Sequence, residues 1–504
     1  MIARKTVLVM SANIIEAFTA YVALFFISRY MGPGSYGIIG FAIGFVGLFS
    51  IIGNLGFGSA HIKNISEGKD KGTCIGAFIT VKTILTTIMS ISTLVAILIW
   101  KELLKRGFES PIHETAVYII LGYYVLEQLS GIFQNTFIAE TQIAKNEAPI
   151  FIAAITRTLA IIYVALNGYG PIELAFAYVF GHIFLFITGF ILFFGQPVKK
   201  PSKTCLKEYM RFACPLIIVS SASLVITNTD KVLIQLFWSS EEVGYYFASY
   251  RLSNLIVVVG SSISLLLFPT FSNLNSVKKI NDIKNLLKAS ERYISMFTTP
   301  MAIFICILAE PIIHIFLSDS FLPAILVFQI LPFYSLLYAL VYPYESLFLG
   351  LDKPNVVRNR FLLMALCNII LDLILIPKDI QILGLRLFGF GAVGASIATV
   401  ISYIIGLTFY KITVWRTYRI GFNTRILLHF MIAIITGAFL YCTNKIIGIN
   451  RWYTLLGVFC LGTFIYLVIL YILKEFTKED VRLIMDTLNI KKMLKYIKTE
   501  IEKK

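Results

Sequence analysis

Apolar positions along this chain gather into long runs; they do not alternate with polar ones. A helix needs about 20 apolar residues to cross the hydrocarbon core of a bilayer. Fourteen runs approach or exceed that length: 7–30, 36–60, 74–100, 114–139, 150–167, 171–195, 209–237, 242–270, 293–317, 322–349, 355–377, 387–410, 426–444 and 452–473. The pattern predicts an all-α, polytopic membrane protein of about 14 transmembrane helices. The longest connections, around 272–292 and after 474, are too short for a globular domain. Both look interfacial. In 277–292, Ile280, Ile283, Leu286 and Leu287 recur at helical spacing beside five bases. In the tail, Thr477 and Asp480 read as a capping box, followed by Val481, Ile484, Leu488 and Met493. Each stretch fits a helix lying on an anionic leaflet, and equally an amphipathic helix packed on its neighbours.

Composition agrees. Of 504 residues, 58% are hydrophobic and 14% charged, against about 25% charged in soluble domains. The net charge of +16 would suggest nucleic acid in a soluble protein; in a membrane protein it reports topology. With the N-terminus cytoplasmic and an even number of spans, 32 of the 44 Lys and Arg fall on the inner side, eight on the outer side and four within spans. This positive-inside bias predicts a plasma-membrane protein with both termini cytoplasmic. The first apolar run is long enough to span, so no cleavable signal peptide is expected. Seven scattered cysteines without a CxxC pair predict neither disulfides nor a metal site, and no cofactor is expected.

Residues 168–179, GYGPIELAFAYV, align without gaps to residues 389–400, GFGAVGASIATV. Gly168/Gly389, Gly170/Gly391, Ala177/Ala398 and Val179/Val400 are identical. The first segment opens span 6 and the second opens span 12. A weaker echo relates Tyr36-Gly37 to Val243-Gly244. Six spans therefore repeat as six, which predicts two six-helix lobes with a pseudo-two-fold axis along the membrane normal. The predicted organisation is an N-terminal lobe at 1–200, a C-terminal lobe at 201–424, two extra spans at 425–474 and a basic amphipathic tail at 475–504.

Several local segments resemble the polysaccharide-biosynthesis, O-antigen-type oligosaccharide flippases. That family shares a superfamily with multidrug exporters and lipid II flippases. The likeness lies in Arg29-Tyr30-Met31-Gly32-Pro33-Gly34, Asn54-Leu55-Gly56-Phe57-Gly58, Asp230-Lys231-Val232-Leu233-Ile234, Val243-Gly244-Tyr245-Tyr246 with Arg251-Leu252, and Gly391-Ala392-Val393-Gly394-Ala395. Their order spans residues 1–475. The resemblance implies translocation of undecaprenyl- or dolichyl-diphosphate-linked sugars from the cytoplasmic to the outer leaflet. It also implies that spans 1, 2, 7 and 8 line a central cavity.

Ionisable groups within spans are costly and face a cavity or a partner. Four bases, Lys82, Arg157, Lys231 and Arg251, stand against five acids, Glu16, Glu127, Asp230, Glu345 and Asp372. Arg251, Lys231 and Arg29 are candidates to hold a diphosphate, since guanidinium and ammonium groups make charge-assisted bonds to phosphate oxygens. Equally, Arg251 could pair with Asp230 while Lys231 and Arg29 reach outward to the interface. Arg157 and Lys82 read as cavity cations or as scaffold paired with Glu127. Asn54, Asn228 and Asn254 suit sugar hydroxyls or interhelical contacts. Glu16, Asp230 and Glu127 are candidates for proton or sodium coupling. Glu345 and Asp372, near span ends, read as interfacial, and the isolated His182, His314 and His429 as packing residues.

The expected partners are a lipid-linked oligosaccharide and membrane lipids, with no nucleic acid, and the chain is expected to act as a monomer. One rival reading is a cation-coupled multidrug exporter of the same superfamily, whose cavity should be acidic. Another is a lipid-linked glycosyltransferase. That class needs a substantial catalytic loop and often an Asp-x-Asp motif, and this chain has neither, so a transporter and not an enzyme is expected.

Overall fold

Proline and glycine decide where the helices begin and break. The computed structural model describes residues 2–102, 108–380 and 384–475, with side chains at 2–11, 13, 203, 212–220, 259, 262–266 and 385 outside that description. Lys105, Arg106, the Asn13 side chain and the amphipathic tail after Glu475 therefore lie outside it. Helices α1 (Ile2–Tyr30), α2 (Gly32–Asn54), α3 (Phe57–Ser66), α4 (Lys71–Glu102), α5 (Pro111–Ala139), α6 (Ile143–Leu166), α7 (Pro171–Phe193) and α8 (Lys203–Phe237) form the first part of the chain. Then come α9 (Ser240–Ser253), α10 (Leu255–Ser276), α11 (Ile280–Ile307), the short α12 (Ala309–Ile312), α13 (Ile325–Gly350), α14 (Pro354–Leu375), α15 (Gly391–Tyr418), α16 (Arg425–Ile447) and α17 (Trp452–Ile472). α5, α7 and α14 start at proline, whose fixed φ and missing N–H suit the first helical position.

Every one of the fourteen apolar runs is helical, but three are interrupted. Leu55 (φ 30°) and Gly56 (φ 76°) take left-handed conformations that stop α2 and restart the chain as α3. The eighth run breaks at Asn254. The ninth bends by 81° between α11 and the segment from Ala309. Among the described residues nine helices are long and apolar enough to cross a membrane, or ten with the bent pair counted as one. The exception to helix is a two-residue antiparallel ladder, Asp379–Ile380 with Leu385–Arg386, in the turn before α15.

The stretch 277–292 is no separate surface helix. It forms the opening turns of α11, with Ile283 and Leu287 buried and Ile280 exposed. Its apolar stripe is thus packed inside the protein, the second of the two sequence-based expectations.

The chain divides into two compact units, Met1–Val232 with Ser239–Glu241 and Leu233–Trp238 with Glu242–Leu483. In the first unit α1 packs on α6, α6 on α7, α5 on α7, and α2 on both α4 and α5. The second unit repeats this scheme six runs later. The pairs α2·α4, α2·α5, α4·α5, α5·α7 and α6·α7 recur as α10·α11, α10·α13, α11·α13, α13·α15 and α14·α15. Gly168 and Gly389, aligned in sequence, share a left-handed φ of 70° and 67°. The duplication is therefore structural.

Ion pairs fasten the connections. In the first unit Lys199 Nζ lies 2.8 Å from Asp70, and Lys199 N donates to Gly72 O. Lys199 and the Thr73 hydroxyl and amide hold the Asp70 carboxyl well below the usual carboxylate range. Its contribution is present above the unfolded carboxylate pKa and is lost as pH falls. In the second unit Glu475, past the end of α17, is bound by Arg292 Nε at 2.8 Å and Arg425 at 3.2 Å, with His429 at 3.6 Å. These contacts anchor the chain just before the tail.

Gly76 in α4 faces the Lys199 carbonyl so closely that a Cβ would sit 1.8 Å from that oxygen. Gly76→Ala is therefore expected to destabilise the protein by about 1–3 kcal/mol, read as a lowered melting temperature in detergent, whereas Gly122→Ala, which meets nothing within 4 Å, should leave it unchanged.

Candidate functional site

The apolar helix α2 carries a glycine face that makes room for polar side chains. A Cβ at Gly44 would lie 3.0 Å from Lys231 Cβ. At Gly47 it would lie 2.9 Å from both the Asn228 amide and the Tyr124 hydroxyl, and at Gly53 2.8 Å from Gln128. Only glycine leaves those gaps, so α5 and α8 lay Tyr124, Gln128, Asn228 and Lys231 against α2. Lys231 is 7% exposed and donates to Asn228 Oδ1 at 2.9 Å. The Tyr124 hydroxyl donates to the Ile43 carbonyl at 3.2 Å.

Lys82, from α4, enters the same region. It is 3% exposed, and its ammonium donates to the Gly53 carbonyl at 2.9 Å and to Gln128 Oε1 at 2.7 Å. Gly53 lies in the last turn of α2, where carbonyls lack an amide four residues on in the same helix. The break at Leu55–Gly56 thus frees an acceptor, and the negative end of the helix faces the cation. The expected partner, Glu127, makes no ion pair with Lys82 among the described residues; the neighbouring Gln128 takes that place. Glu127 stands out of contact yet close enough for its carboxylate to act on the Lys82 charge.

The other candidates are dispersed. Arg29 is exposed in the last turn of α1, over the Phe25 ring at 5.4 Å. Arg251 is exposed on α9, over Phe247 at 5.3 Å. Arg157, on α6, is half-buried, its Cβ pressed on Gly181. Asn54 and Glu16 are exposed, Glu127 is half-buried and Asp230 is 1% exposed. Asn254 accepts from the Tyr334 hydroxyl at 3.4 Å.

The second unit holds a polar centre that the sequence reading placed elsewhere. Arg360, one of the 32 bases assigned to the inner side and not to the spans, is fully buried in α14 and paired with Glu345 of α13 at 2.5 Å. Glu345 is thus enclosed by a partner, its side chain 17% exposed, and Asp372 is fully buried. Tyr410 and Tyr403 stand 5.1 and 5.7 Å from the Arg360 guanidinium, a cation–π enclosure. Beside it runs a file of tyrosines: Tyr250 stacked on Tyr334 at 5.2 Å, Tyr334 tilted against Tyr338 at 6.0 Å, and Tyr338 stacked on Tyr342 at 4.9 Å. Two signals in the sequence could have found this centre. Pro354 starts a helix and puts Arg360 two turns inside it, and Tyr334, Tyr338 and Tyr342 recur every fourth residue. The histidines differ among themselves. His182 packs on Tyr123 at 3.9 Å and His429 bonds Ser295 at 2.8 Å, but His314 is exposed and pairs with Asp319.

These features sit in a known architecture. Residues 26–326 match the polysaccharide biosynthesis protein family, and the chain belongs to that family. It is 21% identical over 409 residues to a probable low-salt glycan biosynthesis flippase of Haloferax volcanii, covering 80% of this chain and 81% of that protein. A probable flippase of the same organism is 22% identical over 80% of this chain and 82% of its own length. Among solved structures, the lipid II flippase MurJ in an inward closed conformation superposes with a TM-score of 0.75 at 16% identity, over 93% of this chain and 99% of MurJ. An inward-facing multidrug resistance transporter of the MATE family superposes with a TM-score of 0.65 at 14% identity, over 81% and 96%. The chain is a multi-pass membrane protein with the fold of these transporters.

Removing one partner of a buried ion pair is far costlier than replacing both. Arg360→Met alone should cost about 3–5 kcal/mol, while the double variant Arg360→Met with Glu345→Met should recover most of that loss. Thermal unfolding of the purified variants, arranged as a double-mutant cycle, measures the difference.

Proposed function

We propose that this protein carries a polyprenyl-diphosphate-linked oligosaccharide from the cytoplasmic to the outer leaflet of the plasma membrane, for assembly of a cell-surface polysaccharide or glycan. The observation that carries the reading is similarity along four fifths of the chain to proteins named as flippases. The buried Lys82, held by a carbonyl and an amide, supports it. A positive charge inside a membrane unit is expensive, and it suits a substrate that brings two phosphates.

In this reading the two duplicated units are lobes related about the membrane normal, with both chain ends in the cytoplasm, and they expose the substrate to each leaflet in turn. Lys82 and Lys231, both in the first compact unit, attract the diphosphate. Arg29 and Arg251, exposed on α1 and α9, meet it as the lobes move. Asn54, Asn228 and Asn254 bind sugar hydroxyls. Of the three acids proposed for proton or sodium coupling, Asp230 is the most buried, beside Lys231.

The test is complementation of a strain lacking its flippase. Arg251 is exposed, so Arg251→Glu should fold and reach the membrane. It should reduce surface glycan at least about tenfold, the effect of roughly 1.4 kcal/mol lost from one charge-assisted contact. Wild-type glycan levels with Arg251→Glu would remove the anionic-headgroup role. Restored drug tolerance without glycan would favour the exporter.

A further inference from the structure

At the C-terminal end of α15 the second unit contains a cavity of about 340 Å³. That volume lies in the range of about 300–1,000 Å³ usual for small-ligand sites. Its floor is Tyr344, Val414 and Ile420, all under 9% exposed. Its mouth is Ile412, Trp415 and Phe422, which are 46%, 52% and 56% exposed. The lining is apolar and aromatic, and three large apolar side chains stand open around the entrance.

The rim has one sign of charge. Residues 411–425 contain Lys411, Arg416, Arg419 and Arg425 and no acid. The Lys411 ammonium lies over the Phe422 ring at 4.3 Å, and the Arg419 guanidinium over Trp415 at 5.7 Å. Two acids reach this region: Glu475 is bonded by Arg425 at 3.2 Å, and Glu291 is buried, its carboxylate engaged by the Tyr344 hydroxyl at 2.5 Å and by Lys411 at 3.4 Å. They therefore repel an incoming anion little. Arg419 also occupies a left-handed C-cap with φ 54°, where glycine would fit without strain. A basic side chain is kept there against a backbone preference.

We propose that this cavity is a binding site for one anionic phospholipid of the bilayer, with acyl chain in the apolar cavity and phosphate on Arg416 and Arg419. A soluble anion would have no use for the apolar floor. A neutral lipid would have none for the rim. Trp and Phe beside bases at a helix end are the chemistry of a membrane–water interface. The site is separate from the polar groups proposed to handle the transported substrate and does not depend on them.

The full-length protein, reconstituted in phosphatidylcholine vesicles, tests this. Either phosphatidylglycerol or phosphatidylcholine carries brominated acyl chains that quench tryptophan. The chain has four tryptophans, so the signal of Trp415 is taken as wild type minus Trp415→Phe. Brominated phosphatidylglycerol should quench Trp415 about fivefold more effectively than the choline lipid at equal mole fraction, the enrichment that one well-placed base gives at an anionic lipid. Arg416→Gln with Arg419→Gln, both exposed positions, should bring the ratio near one. Gly421→Leu, at a position with nothing within 4 Å, should fill the cavity and reduce quenching by both lipids. Equal quenching by the two lipids in wild type would overturn the proposal. So would a preference that survives the double arginine variant. Should Trp415→Phe fail to fold, native mass spectrometry of wild type and the arginine variant replaces the subtraction. Equal retention of phosphatidylglycerol by the two would overturn the proposal equally.

Discussion

A cation buried away from water must find acceptors inside the protein, and in the first unit the broken end of α2 supplies one. Leu55 and Gly56 turn left-handed, the helix stops, and the Gly53 carbonyl loses its own helical donor. The Lys82 ammonium takes its place. The rest of the polar track depends on the same helix. Gly44, Gly47 and Gly53 leave gaps along one side of α2, and Lys231, Asn228, Tyr124 and Gln128 occupy them. A side chain at any of these glycines would push a polar group out of place. The glycines therefore do in the membrane what small residues commonly do there, bringing elements close enough for polar contacts to form.

The second unit reuses the packing scheme with a different polar filling. Here the buried cation is Arg360, and a carboxylate, Glu345, compensates it, with Tyr403 and Tyr410 against the guanidinium. Lys82 instead bonds a carbonyl and an amide, with the Glu127 carboxylate near it but out of contact. The duplicated scaffold thus carries a lysine held by neutral acceptors in one unit and an aromatic-walled contact ion pair in the other.

Much of the architecture was legible along the chain. The length and spacing of the apolar runs fixed helix positions, since a bilayer accepts only helices whose backbone is satisfied internally. Gly168 and Gly389 marked the duplication, and the structure gives them the same left-handed φ. The interruptions were less legible, because a left-handed Leu55 leaves no compositional trace and an apolar run reads the same whether straight or broken. Arg360 was misplaced for a related reason. A charge near the end of an apolar run looks like a loop residue until the helix start at Pro354 is given its weight.

The sequence by itself determined the class of protein, the positions of the helices, the repeat and the short roster of intramembrane charges. These depend on local composition and on period, which the chain carries residue by residue. Only the tertiary structure decided which of those charges is buried, and with what partner. Lys82 meets Gln128 and not Glu127, and Arg251 and Arg29 stand exposed while Arg360 is enclosed. The physical reason is that partnership depends on rotation about the helix axis and on gaps between helices. A residue's neighbour along α5 points about 100° away from it, and a single glycine on a facing helix settles which of the two comes within hydrogen-bonding distance.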